Sequence, residues 1–275
     1  MKSLNGLELV GYIKERQAKQ VRALRQSWRV VPRLAIVRTG ESPVTDAYLR
    51  LKHTYGDDIL VEVKTYNVLG QNLIEQIQEL NEDENVHGII VQLPLANLSQ
   101  TDSAVNAVLP KKDVDGLGVN AQFTPATAMS IDWLLAGYNI ELSGKKIAIV
   151  GNGRLVGAPL FKLWKDAGFD VTVYDDQATK LADGLTLADI IVTATGVPGL
   201  ITSNMVKAGA VIVDAGVASE NGKLVGDVAE EVRVRNDVAI TPVKGGVGPL
   251  TVAALFDNVI SAARKVADIK GQQDI

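Results

Sequence analysis

Residues Lys145–Asp176 read KKIAIV, GNGRLVGAP, LFKLWKDAGF and DVTVYDD in succession. An apolar run, Ile147 to Val150, stops at Gly151. Gly153 and Gly157 follow, and Leu155, Pro159, Leu160, Leu163 and Trp164 then recur at helical spacing. A second apolar run, Val171 to Tyr174, ends on Asp175 and Asp176. Strand, tight glycine turn, helix, strand and acid follow one another as a dinucleotide site needs them. One glycine allows the sharp turn out of the strand, one lets a pyrophosphate approach the backbone, and one lets the helix lie close to the sheet. The helix N-terminus offers free N–H groups and partial positive charge. An acid ending the second strand can accept from ribose hydroxyls. The spacing G-x-G-x-x-x-G is one residue longer than the commonest form, so the glycines alone also fit an ordinary βαβ unit. With both strands and the acids present, the dinucleotide reading is preferred. Its expected contacts are Gly151, Asn152, Gly153, Arg154, Leu155, Val156 and Gly157 in the turn, Asp175 and Asp176 after the second strand, and Thr195, Gly196 and Val217 beyond later strands.

The 275 residues leave room for about two domains. Hydrophobic content of 47% and charged content of 22% suit a soluble globular enzyme. A net charge of −4 provides no basic field, so nucleic acid is not an expected partner. The absence of cysteine excludes disulfides, thiolate metal sites and a cysteine nucleophile. The two histidines, His53 and His87, lie far apart, and no metal is expected; each reads as structural or solvated. The segment MKSLNGLELVGYIKE is amphipathic and carries Glu8, unlike a signal peptide, and no apolar run is long enough for a bilayer span. The expectation is a cytoplasmic protein with no membrane partner.

Upstream of the glycine turn the chain alternates helix and strand. A helical period runs from about Gly6 to Ser27, and Leu34 to Val37 reads as a strand. Ser42 and Pro43 open a helix, Ser42 as a candidate cap. Tyr48 and Lys52, four apart, share a face of it. Ile59 to Val68 reads as a strand, Asn72 to Leu80 as a helix, and GIIVQL (88–93) as a buried strand. Gln92 and Leu93 then stand at that strand's carboxyl end, where ligands of open α/β sheets bind. Thr101 to Val108 is a short helix, followed by the polar loop PKKDVDGLGVN, and Thr124 to Leu135 is a joining helix. Past Asp176, strands are expected at Ile190–Thr195, Ala210–Asp214 and Val238–Thr241, a short helix at Met205–Lys207, and a long helix at Leu250–Val266. The fold class is therefore α/β in two domains, an N-terminal α/β domain over residues 1–120 and a Rossmann-like domain over 121–249.

Together these stretches carry a resemblance. SPVTDAYLRLK (42–52), GIIVQLPL (88–95), PKKDVDG (110–116), GNGRLVGAP (151–159), NGKLVGDV (221–228) and TPVKGGVGPLT (241–251) resemble, nearly end to end, the bifunctional methylenetetrahydrofolate dehydrogenase/cyclohydrolases of one-carbon metabolism. The resemblance implies that the N-terminal domain, joined by the C-terminal helix (250–275), holds a tetrahydrofolate derivative. The middle domain would hold NAD or NADP, with the folate's methylene bridge meeting the nicotinamide in a cleft. Lys52 matches the family's acid/base lysine, Tyr48 the tyrosine that packs on the folate, Gln92 the glutamine beside the lysine, and Asp115 the acid that grips the pterin. Leu93, Gly245, Gly246, Pro249 and Thr251 complete the implied substrate contacts, and a homodimer through the middle domain is implied as well. Taken singly, the residues have blander readings. Spacing alone favours a solvated Lys52 on a helix face, Gln92 also fits a capped strand end, and Asp115 before Gly116 fits turn chemistry.

The chemistry of the implied reaction agrees with these residue types. Hydride loss from the methylene compound leaves a methenyl cation. A charged lysine about 4 Å away would repel it by roughly 4 kcal/mol at an effective dielectric near 20. Lys52 should therefore be largely neutral, which burial would favour. Gln92 can bond the amine without adding charge, Tyr48 offers a flat apolar face, and Asp115 can take two pterin N–H groups at once.

The sequence departs from the family in places. Asn152-Gly153 stands where most members have Arg-Ser, and Asp175-Asp176 where most have a short polar segment. The usual residues help to hold a 2′-phosphate, so two acids here predict NAD, unless Arg154 and Lys180 neutralise the phosphate instead. Pro125-Ala126-Thr127-Ala128 replaces the family's PCTP, and Lys244 adds a charge before Gly245. The competing expectations are an NAD(H)-sensing protein without chemistry and a two-domain dehydrogenase of a small acid.

Overall fold

The computed structural model describes residues 2–41, 43–220 and 223–273. In chain order the elements are β1 (Lys2–Ser3), α1 (Gly6–Ser27), β2 (Arg33–Arg38), α2 (Pro43–Ile59), β3 (Glu62–Asn67), α3 (Leu73–Glu82), β4 (Gly88–Val91) and α4 (Thr101–Ala107). They continue as α5 (Ala126–Gly137), β5 (Lys146–Val150), α6 (Gly157–Asp166), β6 (Asp170–Tyr174), α7 (Leu181–Leu185), β7 (Ile190–Thr193) and β8 (Val211–Asp214). The last are β9 (Ala218–Glu220), β10 (Lys223–Val225), α8 (Glu230–Arg233), β11 (Ala239–Ile240) and α9 (Val247–Gln273).

The chain divides into two compact units. The first comprises Gly11–Ala126 and the chain from Val252 onward; the second comprises the residues up to Val10 together with Thr127–Thr251. In the first unit a parallel sheet runs β3-β2-β4. Its strands β2 and β4 are buried along nearly their whole length, as parallel strands covered on both faces are. Ala35, Val37, Ile89 and Val91 pack with Leu73, Ile77 and Leu80 of α3 and with Ala104 and Val105 of α4. Each fully buried Leu or Ile contributes about 1.5–3 kcal/mol. Phe256 of α9 stacks on Tyr55 of α2, ring centroids 5.1 Å apart. The Tyr55 hydroxyl donates to Gln17 Oε1 at 2.7 Å, and Gln17 Nε2 donates to Ala253 O at 2.8 Å, tying α1, α2 and α9 together.

The second unit holds a six-stranded sheet, β1-β11-β8-β7-β5-β6, parallel at every pairing. A separate antiparallel pair joins β9 to β10. Ala148, Val150, Ile191 and Ile212 from the sheet pack with Leu185, Ile201, Val206 and Val232.

Several sequence expectations shift here. The strand expected from Ile59 begins only at Glu62, because α2 runs through Ile59 and Leu60 turns the chain at φ +67°. Met205–Lys207 is not a helix; a single 3₁₀ turn, Ser203–Met205, leads into extended Val206. Leu155 precedes α6 instead of lying within it. By contacts the first ten residues cluster with the second unit. Lys2 and Ser3 pair with Ala239 and Ile240, and two residues are too few to show a period. Ser42, the expected cap of α2, lies outside the described residues. His87 is buried and accepts at Nδ1 from Arg33 N, while His53 Nε2 meets Thr65 Oγ1 at 2.9 Å. Among the described residues no helix is long and apolar enough to cross a membrane.

Candidate active site

In the first unit β2 pairs with β3 on one side and β4 on the other. The chain leaves β2 through α2 to β3 on one side and returns through α3 to β4 on the other, so the carboxyl ends of β2 and β4 flank a topological switch point. Gln92 follows β4 directly, its backbone N–H donating to Val37 O at 2.8 Å. Lys52 lies on α2, the helix leaving β2, and Tyr48 sits one turn earlier, half-buried. Lys52 Nζ donates to Gln92 Oε1 at 2.9 Å. Gln92 Nε2 donates to Leu93 O at 2.9 Å, so the carboxamide is oriented from both ends.

The KKDVDG loop is built as a clamp around Asp115. Lys112 is buried and donates to Leu80 O at 3.0 Å and Asp83 O at 2.7 Å, capping the end of α3. Asp113 accepts from Gly116 N at 3.0 Å and from Gly118 N at 2.7 Å. Gly116 adopts φ +72°, and a Cβ there would stand 2.8 Å from Phe123 O and from Pro125 N. Asn258 of α9, also buried, donates to Val114 O and Thr124 O, both at 2.9 Å. Lys112, Asp113 and Asn258 were not singled out from the sequence. The available signal was Asn258 itself, a polar residue beside the apolar stripe of a long helix.

Burial holds the Lys52 amine below its ordinary 10.5, while the Asp115 charge pulls it back up. Burial likewise pushes the Asp115 carboxyl up, against the pull of Lys52 and with the help of Asp113. Desolvation outweighs mutual attraction on both sides. Both shifts lean towards the uncharged forms, and an amine whose pKa is lowered takes up a proton and returns it as the ammonium more readily than a free lysine.

In the second unit β5 pairs with β6 and β7, so a switch point falls there too. Gly151 leaves β5 at φ +98°, its N–H donating to Tyr174 O at 2.7 Å. A Cβ on Gly151 would lie 2.7 Å from Ala194 O, and one on Gly157 only 1.8 Å from Gly151 O. The protein itself therefore requires these two glycines. Gly153 differs: among the described residues no atom beyond its chain neighbours lies within 4 Å of its would-be Cβ. Asn152, Gly153, Arg154 and Leu155 are exposed, Val156 is half-buried, and no side chain caps α6. Open backbone before an uncapped helix start fits a pyrophosphate.

The other expected contacts are distributed as follows. Asp175 and Asp176 follow β6 and are exposed, with Asp175 Oδ1 accepting from Gln177 N at 3.1 Å. Thr195 and Gly196 follow β7, Gly196 at φ +71°, and Val217 follows β8, half-exposed. Gly245 adopts φ +87°, and Gly246 is so close to Gly6 that a Cβ on Gly6 would lie 2.1 Å from Gly246 O. Pro249 is half-buried; Thr251 Oγ1 donates to Val247 O at 3.2 Å and lies 3.1 Å from Ser130 Oγ. Lys52, Gln92 and Asp115 are thus brought together in the first unit, while Gly245, Gly246, Pro249 and Thr251 belong to the second.

A half-buried amine, carboxamide and carboxyl at one switch point and a glycine turn at another fit a two-domain α/β enzyme of the dinucleotide-dependent class. Comparison with known proteins narrows this. The tetrahydrofolate dehydrogenase/cyclohydrolase catalytic domain matches residues 4–115, and the NAD(P)-binding domain of the same enzymes matches residues 125–267. "Bifunctional protein FolD" of Wolbachia pipientis wMel is 35% identical over 275 residues, covering 94% of each chain. The solved bifunctional methylenetetrahydrofolate dehydrogenase/cyclohydrolase of Campylobacter jejuni is 34% identical with a TM-score of 0.90, over 96% of this chain and 99% of that one. The Trypanosoma brucei enzyme, solved with NADP cofactor and inhibitor, is 29% identical with a TM-score of 0.89, over 96% and 97%. The chain belongs to the tetrahydrofolate dehydrogenase/cyclohydrolase family.

Proposed function

We propose that this protein oxidises 5,10-methylenetetrahydrofolate to the 5,10-methenyl form and hydrolyses that to 10-formyltetrahydrofolate. The observation that carries the reading is the Lys52 amine, held below its ordinary pKa by burial and oriented by Gln92. The bound nicotinamide supplies the hydride acceptor. Neutral Lys52 leaves the nascent methenyl cation unopposed by charge. It then takes a proton from the water that attacks the methenyl carbon and returns one to the departing nitrogen. Gln92 Oε1 accepts from the amine in either protonation state, so the side chain stays aimed through the cycle. Tyr48 provides a flat face for the folate ring. Asp115 accepts from the pterin amino and ring N–H groups; these donors favour the carboxylate, so binding draws Asp115 back towards its ionised form.

The dinucleotide is NAD in this reading. Asp175 stands directly after β6 and keeps one carboxylate oxygen outside its turn bond to Gln177. A carboxylate there welcomes a ribose diol and repels a 2′-phosphate. A homodimer through the second unit, in the cytoplasm, completes the proposal on the strength of the family resemblance.

The test is one assay, methylenetetrahydrofolate with NAD or with NADP, followed by methenyl absorbance. A rise that is faster with NAD is expected. No rise with either dinucleotide overturns the enzymatic reading, and a clear NADP preference overturns the cofactor assignment alone. Light scattering of the purified protein tests the dimer.

A further inference from the structure

Asp227, in the NGKLVGDV stretch, takes no part in the chemistry at Lys52, yet it is only 1% exposed. Its Oδ2 accepts from Thr193 Oγ1 and from Thr195 N, both at 2.6 Å. Its Oδ1 is buried and has no hydrogen-bond partner among the described residues. The Asp227 backbone N–H donates to Asp214 Oδ1 at 3.1 Å, and Val228 N to Asp214 Oδ2 at 3.1 Å. Asp214 Oδ1 also accepts from Gly216 N at 3.1 Å, and Arg233 Nη2 pairs with its Oδ2. The packing is reciprocal. A Cβ on Gly216, two residues after Asp214, would lie 2.0 Å from Asp227 Oδ1. A Cβ on Gly226, just before Asp227, would lie 2.0 Å from Asp214 Oδ2. Asp214 thus holds the backbone of the Asp227 loop, while Asp227 bonds the Thr193–Thr195 turn and packs on Gly216, each through a gap that only glycine leaves open.

The two turns so joined are Thr193–Val197, at the carboxyl end of β7, and Asp214–Val217, at the carboxyl end of β8. They carry Thr195, Gly196 and Val217. The acids after β6 mark the adenosine side of the switch point, and β7 and β8 lie across β5 from β6. A dinucleotide bound with its adenosine at those acids would lay its nicotinamide half over these turns. Charge-assisted bonds to a backbone N–H are about twice as strong as neutral ones. A buried carboxylate oxygen left unpaired is a cost that calls for a reason.

We propose that Asp227 is a positioning residue for the dinucleotide: its side chain fixes the Thr195–Gly196 turn and packs its other oxygen against the Gly216–Val217 turn, which together would lie beneath the nicotinamide half. The proposal rests on reading Thr195, Gly196 and Val217 as dinucleotide contacts.

The experiment compares the full-length wild type with Asp227→Ala, Asp227→Asn and Thr193→Val. NADH binding is measured by fluorescence titration, KM for NAD by initial rates, and methenyl hydrolysis without dinucleotide. Asp227→Ala is expected to weaken NADH binding and raise KM for NAD by about tenfold or more while hydrolysis stays within about twofold. Asp227→Asn should recover most of the binding, because an amide oxygen still serves both donors and the NH₂ takes the place of the unpartnered oxygen. Thr193→Val keeps the carboxylate and removes one donor, with an expected loss of about threefold. It carries the test if Asp227→Ala does not fold. Unchanged NADH binding in these variants, or binding and hydrolysis falling in parallel with thermal stability, overturns the proposal. Wild-type protein that binds no dinucleotide overturns the cofactor reading and this proposal with it.

Discussion

In the first unit β2 lies between β3 and β4, and in the second β5 lies between β6 and β7. Both kernels are parallel, and both reverse winding direction at their central strand, so each offers a crevice at the carboxyl ends. What lines the crevice differs. After β2 and β4 the chain supplies polar side chains, Lys52, Gln92 and Asp115, half-buried and held among further side chains such as Asn258. After β5 it supplies bare backbone, with Gly151 and Gly157 packed so tightly that neither has room for a Cβ. In the proposed reading one topology serves proton chemistry through side-chain desolvation and anion binding through exposed N–H groups. The first crevice should be broken by removing atoms, the second by adding them.

The largest effect is expected at Lys52. Lys52→Met should lower methenyl hydrolysis by about 100-fold or more, with NADH binding retained. Hydrolysis at wild-type rate would end its assignment as the acid/base group. In the wild type the neutral amine is the base, and its fraction grows as pH rises through a pKa lowered by burial. The enzyme-catalysed rate, corrected for spontaneous hydrolysis, should therefore climb with pH and level off before the ordinary lysine value of 10.5, a limb that Lys52→Met lacks.

Gly157→Ala reverses the pattern. Its methyl group would fall 1.8 Å from Gly151 O, so the turn must shift. NADH binding should drop by about 30-fold while dinucleotide-independent hydrolysis persists, as titration and rate assays would show. Parallel loss of both would mean that the two crevices are not separable. A smaller effect is expected at Asp175. Asp175→Ser should raise the NADP-to-NAD ratio of kcat/KM by about tenfold, and an unmoved ratio would remove Asp175 from cofactor choice. Gly153→Ser should change least. With no atom of the described residues beyond its chain neighbours within 4 Å to strike, its unfolding free energy should stay within about 0.5 kcal/mol of wild type by denaturant titration. A large loss would show that Gly153 is required by the fold and not kept open for a ligand.

Much of this was legible in the chain because it is local. Apolar period marked β2, β4, β5, β6 and the long helices, glycine spacing marked the dinucleotide turn, and a four-residue interval placed Tyr48 and Lys52 on one helix face. Motifs read together supplied the family. Local pattern also misled where a helix ran on, as at Ile59, and was silent for the two-residue β1 and the antiparallel β9–β10 pair.

What tertiary structure alone decided is the state of these groups. Whether Lys52 is solvated or stripped of water depends on chain that lies around it in space, including Gln92, 40 residues away. Asn258 grips Val114 across 144 positions, and Asp227 reaches Thr193 across 34. The sequence by itself determined which chemical groups are available and which strands and helices carry them, because those follow from neighbours along the chain. Their burial, and with it their protonation and aim, arises from contacts between distant segments, which a one-dimensional period does not encode.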